Sequence, residues 1–256
     1  MKTLRIIGSG MKGTLHLTQE SLTHCQKANK ILWLGAIVGL NTFLNENKWN
    51  HEDITLYYEN GAIDRDNYDR IKNKIYDELK NYDDIALIVL GHPRLGVTIV
   101  QEFQADASIA LQILPGISSF DTMINDLKMD PIEEGTCLVD ANRLILYDYH
   151  MDPCLNYFIY HICSIGNART DYESPAEKNA THFLQEKLLR HYPDTHELIL
   201  LKSESHDEKS VQYRGKTGEL QILLQHVTFD TSLFIPAMLP QYQKMNMKFY
   251  HYLMNT

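Results

Sequence analysis

Apolar residues along this chain fall into two kinds of run. Short unbroken ones stop at glycine or proline: Leu4-Arg5-Ile6-Ile7 ends at Gly8-Ser9-Gly10, and Ile85-Ala86-Leu87-Ile88-Val89-Leu90 ends at Gly91. A run that is apolar at every position and closed by a turn residue suits a strand buried on both faces of a parallel sheet. Ile31–Leu34 and Ile54–Tyr58 read as two more strands. Other stretches repeat at three to four residues. Leu22, Cys25 and Ala28 share one side of a helix over 18–30, and Ile71, Ile75 and Leu79 one side of a helix over 68–80. Alternating strands and helices over the first ~115 residues predict an α/β layered unit.

Past Leu114-Pro115-Gly116 a second α/β unit is predicted. It comprises a helix through Met123, a strand near Cys137-Leu138-Val139, an apolar stretch 155–165, a helix 183–190, a strand 197–201, a helix 220–224 and a strand 232–235 closed by Pro236. The expected domains are therefore 1–116 and 117–256. The stretches 64–69 and 203–210, rich in charged and polar residues, are expected to be solvated loops.

Composition narrows the function. The 256 residues carry 24 Lys+Arg against 33 Asp+Glu, a net charge of −9 that argues against a phosphate backbone as main partner. There is no unbroken apolar run of the ~18 residues that a membrane span needs. The four cysteines, Cys25, Cys137, Cys154 and Cys163, have no CxxC pair, which predicts a reducing, cytoplasmic setting. There is no HExxH and no Cys/His cluster, so no metal is expected, and no G-x-S-x-G elbow marks a serine nucleophile.

Gly8-Ser9-Gly10-Met11-Lys12-Gly13 follows the first strand with the G-x-G-x-x-G spacing of a dinucleotide loop. A nicotinamide site also needs an acidic residue about 20 positions on to hold the ribose hydroxyls. The second strand instead ends in Leu34-Gly35-Ala36-Ile37. A tight turn that merely needs glycine is the competing explanation.

Four spaced motifs point further. The opening "LRIIGSGMKGTLHLTQESLTHCQKANKILWL", then "IALIVLGHPRLG", "LPGISSF" and "TSLFIPA" resemble, in order, the characteristic segments of the tetrapyrrole methylase family. That resemblance implies a two-domain class III fold with a cleft for S-adenosyl-L-methionine (SAM) between the domains, S-adenosyl-L-homocysteine (SAH) being the product. Within it, "LYYENGAIDRDNYDRI", a "GHP" loop and "LPGISSFDTMINDLKMDP" resemble the borosin peptide backbone N-methyltransferases. These carry a Tyr-x-Asn-Gly run followed by an arginine and a tyrosine on one helix.

The resemblance places Tyr58, Arg65 and Tyr68 at the catalytic positions. In the fungal members the arginine lies four residues before the tyrosine; Arg65 lies three before Tyr68, Asp64 holds the fourth place, and Arg70 is a rival. The chemistry explains such a set. An amide nitrogen has its lone pair delocalised into the carbonyl and must become imidate-like before it attacks a methyl group. A tyrosine, with an ordinary pKa of about 10, serves as base only beside a cation, and an arginine also pairs with the imidate oxygen. Either Tyr58 or Tyr68 would be the base, the alternative being that both cap a loop.

For the cofactor, the resemblance carries over Gly91, His92, Pro93, Leu95 and Gly96 after the buried strand, and Ser118 and Ser119 after L-P-G. It adds His161, where borosin enzymes have glutamine, and Leu201, Ser203, Asp230, Thr231 and Ser232. His161 reads equally as a ligand contact or as a satisfied core group. Some borosin enzymes carry their substrate as a C-terminal extension. About 20 residues follow Pro236 in this sequence, so a separate precursor peptide, as in the split type, is the expected partner. The resemblance also implies a homodimer, with "MNMKFYHYLM" as part of its interface or as a last core helix. The competing functions are a tetrapyrrole or other small-molecule methyltransferase, a non-catalytic peptide-binding homologue and a nicotinamide oxidoreductase.

Overall fold

The computed structural model describes residues 1–206, 208–238 and 245–255. Its first half alternates β1 (Lys2–Gly8), α1 (Gln19–Lys27), β2 (Lys30–Leu34), α2 (Leu40–Glu46), β3 (His51–Asp53), α3 (Asp64–Asn81), β4 (Asp84–Val89), α4 (Ile99–Gln104) and β5 (Ile109–Leu114). The strands form one parallel sheet in the order β3-β2-β4-β1-β5. Both faces are covered, as the unbroken apolar runs require. Leu4, Ile6, Leu32 and Leu87 pack against Ile71, Ile75 and Leu79 of α3 and Phe103 of α4. Ile7, Ile31, Trp33 and Ile88 pack on the other side with Cys25 of α1 and Leu40 and Leu44 of α2. Each such buried side chain contributes about 1.5–3 kcal/mol.

The second half contains α5 (Ser119–Leu127), β6 (Thr136–Asp140), α6 (Ala141–Leu146), β7 (Asn156–Tyr160), α7 (Pro175–Lys178), α8 (Thr181–Leu189), β8 (Glu197–Lys202), β9 (Val211–Lys216), α9 (Leu220–Leu223), β10 (Thr231–Ile235) and α10 (Met247–Met254). Its sheet runs β6-β7-β10-β8-β9; β6 is parallel to β7 and the other neighbours are antiparallel. Met123 of α5 packs on one face with Phe158, Ile199, Leu201 and Phe234. The larger core on the other face joins Leu144, Leu184 and Leu188 to Tyr157, Leu198, Leu200 and Leu233. The mixed α/β class with two sheets is as expected.

Three expectations need correction. Ile54–Tyr58 is not a strand: β3 ends at Asp53, whose Oδ1 accepts the Thr55 N–H at 2.8 Å and turns the chain into a short 3-10 turn over Thr55–Tyr57. Ile54 is buried in the core there, so its apolarity reflects packing rather than a ladder. The stretch 64–69 is not a loop but the start of α3, where Asp64 and Asp66 face the positive end of the helix dipole. Buried Asn67 holds it by accepting the Glu59 N–H and donating to the Glu59 carbonyl. Finally, α10 buries none of its residues, and Phe249, Leu253 and Met254 are exposed, so it is no core helix.

Candidate active site

The C-terminal ends of the central parallel strands meet one end of the second sheet. At the end of β1, Gly8 is pressed between two other turns: a Cβ there would lie 2.5 Å from the Gly91 carbonyl oxygen and 2.7 Å from the Gly116 nitrogen. Only bare backbone lets the β1, β4 and β5 loops approach so closely. On the opposite side, Asp140 ends β6, His161 follows β7, Leu201 and Ser203 end β8, and Thr231 and Ser232 begin β10. Lys12 pairs with Glu204 at 2.8 Å across the two sides, and Gly96 comes so near His161 that a Cβ on it would lie 3.3 Å from Nε2. Within the second half, the Ser203 hydroxyl donates to the Ser119 carbonyl at 3.4 Å.

The glycine loop after β1 is already occupied. His16 Nδ1 accepts the N–H groups of Met11 (3.1 Å) and Lys12 (3.2 Å), so two amides that a pyrophosphate would need are taken by a side chain. Burial, reinforced by the Lys12 charge, lowers the His16 pKa, which keeps that nitrogen free to accept.

Most residues expected at the cofactor line this junction. Gly91 and Gly96 both have φ of +71° and bracket a loop in which His92 Nδ1 accepts the Arg94 N–H at 3.1 Å. Ser118 caps α5: its hydroxyl donates to Asp121 Oδ2 at 2.6 Å and accepts the Asp121 N–H, which leaves Ser119 as the freer hydroxyl. His161 adopts φ +56°, a conformation that costs a non-glycine residue about 1 kcal/mol or more. Its Nδ1 lies 2.7 Å from Asp140 Oδ2. Burial alone would raise the Asp140 pKa, but His161 and the Arg143 N–H outweigh it and hold the carboxyl low. This bond aims the other ring nitrogen, Nε2, toward Gly96. His161 is thus no core group: its ring is exposed.

Other expected residues contribute less. The Leu201 side chain is fully buried in the α5 core, so only its backbone can serve a ligand. Asp230 is an exposed partner of Lys202 at 3.0 Å and of the Thr228 hydroxyl at 2.6 Å. Thr231 is buried, its hydroxyl donating to the Thr228 carbonyl at 2.8 Å, and Ser232 is buried beside it.

Tyr58 and Tyr68 stand together, their rings edge to face with centroids 6.1 Å apart. Thr98, two residues past Gly96, is the polar side chain beside the Tyr68 hydroxyl. Burial raises both phenols' pKa, Tyr58 well above the ordinary tyrosine range. The arginine expected beside them is elsewhere. Arg65 is exposed and its charge acts on Asp69. Arg70 donates to the Tyr57 carbonyl at 3.2 Å and pairs with Glu59 at 3.4 Å. Asp64 is the charged residue at the pair, accepting the Tyr58 hydroxyl at 3.1 Å.

Sequence reasoning missed Asp64, Thr98, Asp140, Tyr160 and Thr170 as site residues. Asp140 had a visible signal: it follows a strand and precedes "ANRLIL", the place of a helix N-cap, and its carboxylate accepts the Arg143 N–H at 2.8 Å. Tyr160 Oη is buried without a hydrogen bond of normal geometry, the Ser119 side chain being the polar group beside it, and burial pushes its pKa up to about 12. An orphaned buried hydroxyl beside Ser119 suits a polar ligand.

Two sheets joined by glycine loops, with polar groups gathered at the carboxyl ends of the parallel strands, make this junction the candidate ligand site of an α/β protein. Residues 3–142 match the family of Tetrapyrrole (Corrin/Porphyrin) Methylases, and the chain belongs to it. It is similar to a methyltransferase/ribosomally synthesized type II borosin cyclic peptide precursor of Phlebiopsis gigantea, 26% identical over 247 residues that cover 92% of this chain and 43% of that one. A type I borosin cyclic peptide precursor of Cerrena unicolor is 26% identical over 204 residues, 77% of this chain and 48% of that one. The chain thus spans less than half the length of these two relatives. In fold it is similar to uroporphyrin-III-C-methyltransferase from Thermus thermophilus, with a TM-score of 0.62 at 15% identity, covering 95% of this chain and 99% of that one. Precorrin-6Y methylase from Archaeoglobus fulgidus has a TM-score of 0.58 at 17% identity, covering 93% and 99%.

Proposed function

We propose that this chain is a SAM-dependent methyltransferase that methylates backbone amide nitrogens of a peptide, supplied as a separate precursor. Its two units are 1–116 and 117–256. The observation that carries the reading is the edge-to-face Tyr58–Tyr68 pair, with Thr98, two residues past Gly96, beside Tyr68. The borosin names of the relatives support a peptide acceptor.

When bound, SAM supplies a methyl group on a positively charged sulfur, ready for transfer to a nucleophile. The chain's own residues would do the rest. Gly91, His92, Pro93, Leu95 and Gly96 would hold it from the first sheet, and Ser119, His161, Ser203, Thr231 and Ser232 from the second. His161 Nε2 would hydrogen-bond the ligand. Tyr58 and Tyr68 would meet the acceptor amide at the edge of the crevice, where excluded water strengthens each polar contact.

Two measurements test this. The melting temperature with SAH at about 100 times its dissociation constant should rise, the added stability being about 2.7 kcal/mol. Mass spectrometry of a synthetic peptide spanning the precursor portion of the Phlebiopsis gigantea relative, incubated with protein and SAM, should then show gains of one methyl group at backbone nitrogens. No melting shift would sink the cofactor, and methylation found only on the protein's own chain would sink the separate acceptor.

A further inference from the structure

We propose that Asp64 takes the place of the arginine expected beside the tyrosine pair and receives, through the Tyr58 hydroxyl, the proton that leaves the acceptor amide. The inference rests on the reading of the site as an amide N-methyltransferase. Asp64 opens α3 one turn before Tyr68 and lies on the same helix face. Its Oδ1 accepts the Tyr58 hydroxyl at 3.1 Å and the Thr170 N–H at 2.9 Å, while Oδ2 accepts the Thr170 hydroxyl at 3.1 Å. Three donors fix the carboxylate, and Tyr58 is the one among them that faces the other tyrosine.

The charged neighbours exclude the arginine route. Arg65 and Arg70 are turned away, and Arg169, next to Thr170, donates to the Gly61 carbonyl at 3.2 Å. Tyr68 on its own helix and Cys163 from the second half, whose thiol feels both Asp64 and Asp140, also sense the Asp64 charge. A phenol flanked by a carboxylate instead of a guanidinium stays protonated, so it cannot wait as a tyrosinate. It can still pass a proton on. As the amide N–H bond breaks, its proton goes to Tyr58 Oη and the Tyr58 proton goes to Asp64. The nitrogen pair so released forms the bond to the methyl group, SAH leaves with the electrons of the carbon–sulfur bond, and the Asp64 carboxyl returns its proton to water.

This makes Asp64 a positioning residue with a charge requirement, which separates it from a mere anchor of the loop to Thr170. The first measurement needs no turnover. In the full chain saturated with SAH and labelled at tyrosine Cζ, the Tyr58 ionisation is followed by NMR. Asp64→Asn keeps an acceptor for Tyr58 and Thr170 but removes the charge, and should lower the Tyr58 ionisation by about one pH unit. The second follows transfer of labelled methyl from SAM to the Phlebiopsis gigantea precursor peptide against pH. Wild-type rate should fall on acidification. Asp64→Asn should lose about 100-fold and that acid limb, Asp64→Glu should keep the limb and part of the rate, and Asp64→Arg should be slower than wild type. A Tyr58 ionisation unmoved by Asp64→Asn, an acid limb that survives it, or a faster Asp64→Arg enzyme overturns the proposal. Wild-type protein that leaves the peptide unmethylated while Tyr58 still responds to Asp64→Asn counts against the acceptor and upholds the tyrosine–carboxylate pairing.

Discussion

His161 Nδ1 lies 2.7 Å from Asp140 Oδ2, across the neighbouring parallel strands β6 and β7. Asp140 is fixed at the N-cap of α6, so the ring is aimed from a rigid base and its Nε2 is held toward Gly96. The pair gives the junction of the two sheets a polar nitrogen of defined direction at the cost of a left-handed backbone at His161.

Asp140→Asn removes the charge that holds this ring. SAH affinity, read by calorimetry, should fall about tenfold, the worth of one charge-assisted hydrogen bond. The Asp140 pKa is lowered in the folded chain, so its stabilisation is present above the unfolded value of about 3.9 and fades as pH falls toward the folded one. The melting temperature of Asp140→Asn should therefore sit below wild type near pH 6, with the gap closing in acid.

Protonating His16 should loosen the glycine loop. Its folded pKa lies below the unfolded value near 6.5, so protons favour the unfolded chain. Stability is full above about pH 6.5 and declines as pH falls through that value toward the folded pKa. Thermal melts at pH 7.5 and 5.5 should show a drop that shrinks in His16→Asn; an equal drop in both would remove His16 from the account.

Gly8→Ala should be severe because the new Cβ meets backbone on two sides, 2.5 Å from the Gly91 oxygen and 2.7 Å from the Gly116 nitrogen. Neither loop can move aside as a side chain would. A loss of about 3 kcal/mol or more is expected, measured by urea unfolding. A midpoint equal to wild type would show that the three loops do not close as described.

Tyr68→Phe keeps the ring packed against Tyr58 and removes only the hydroxyl that Thr98 contacts. SAH binding should stay within a few-fold while methyl transfer falls by about 10²–10⁴. Unchanged turnover would exclude Tyr68 from the chemistry.

How much of this was legible beforehand varies by element. The strand Ile85–Leu90 could be read outright, because both faces of a central parallel strand must be apolar. Ile54–Tyr58 could not, since β-branched and aromatic residues suit a strand equally well as a buried turn, and Asp53 decided the matter by accepting the Thr55 N–H. The start of α3 was hidden under its charges; at Asp64 and Asp66 they favour a helix N-terminus rather than solvent alone. Gly91–Gly96, Ser118 and Ser119 were visible as motifs, and so was the tyrosine pair.

The sequence alone determined what local chemistry determines: the alternation of strands and helices, the glycines where loops must touch, the residue types offered to a ligand and the family to which they belong. Tertiary structure decided which of those residues meet. Asp64 rather than Arg65 reaches Tyr58 because a one-residue step on a helix turns a side chain by about 100°, and the packing of Ile71, Ile75 and Leu79 sets which side faces inward. Asp140 meets His161, and His16 closes the glycine loop, because strand register and loop closure bring distant atoms within hydrogen-bond distance, and neither is written in any short stretch of the chain.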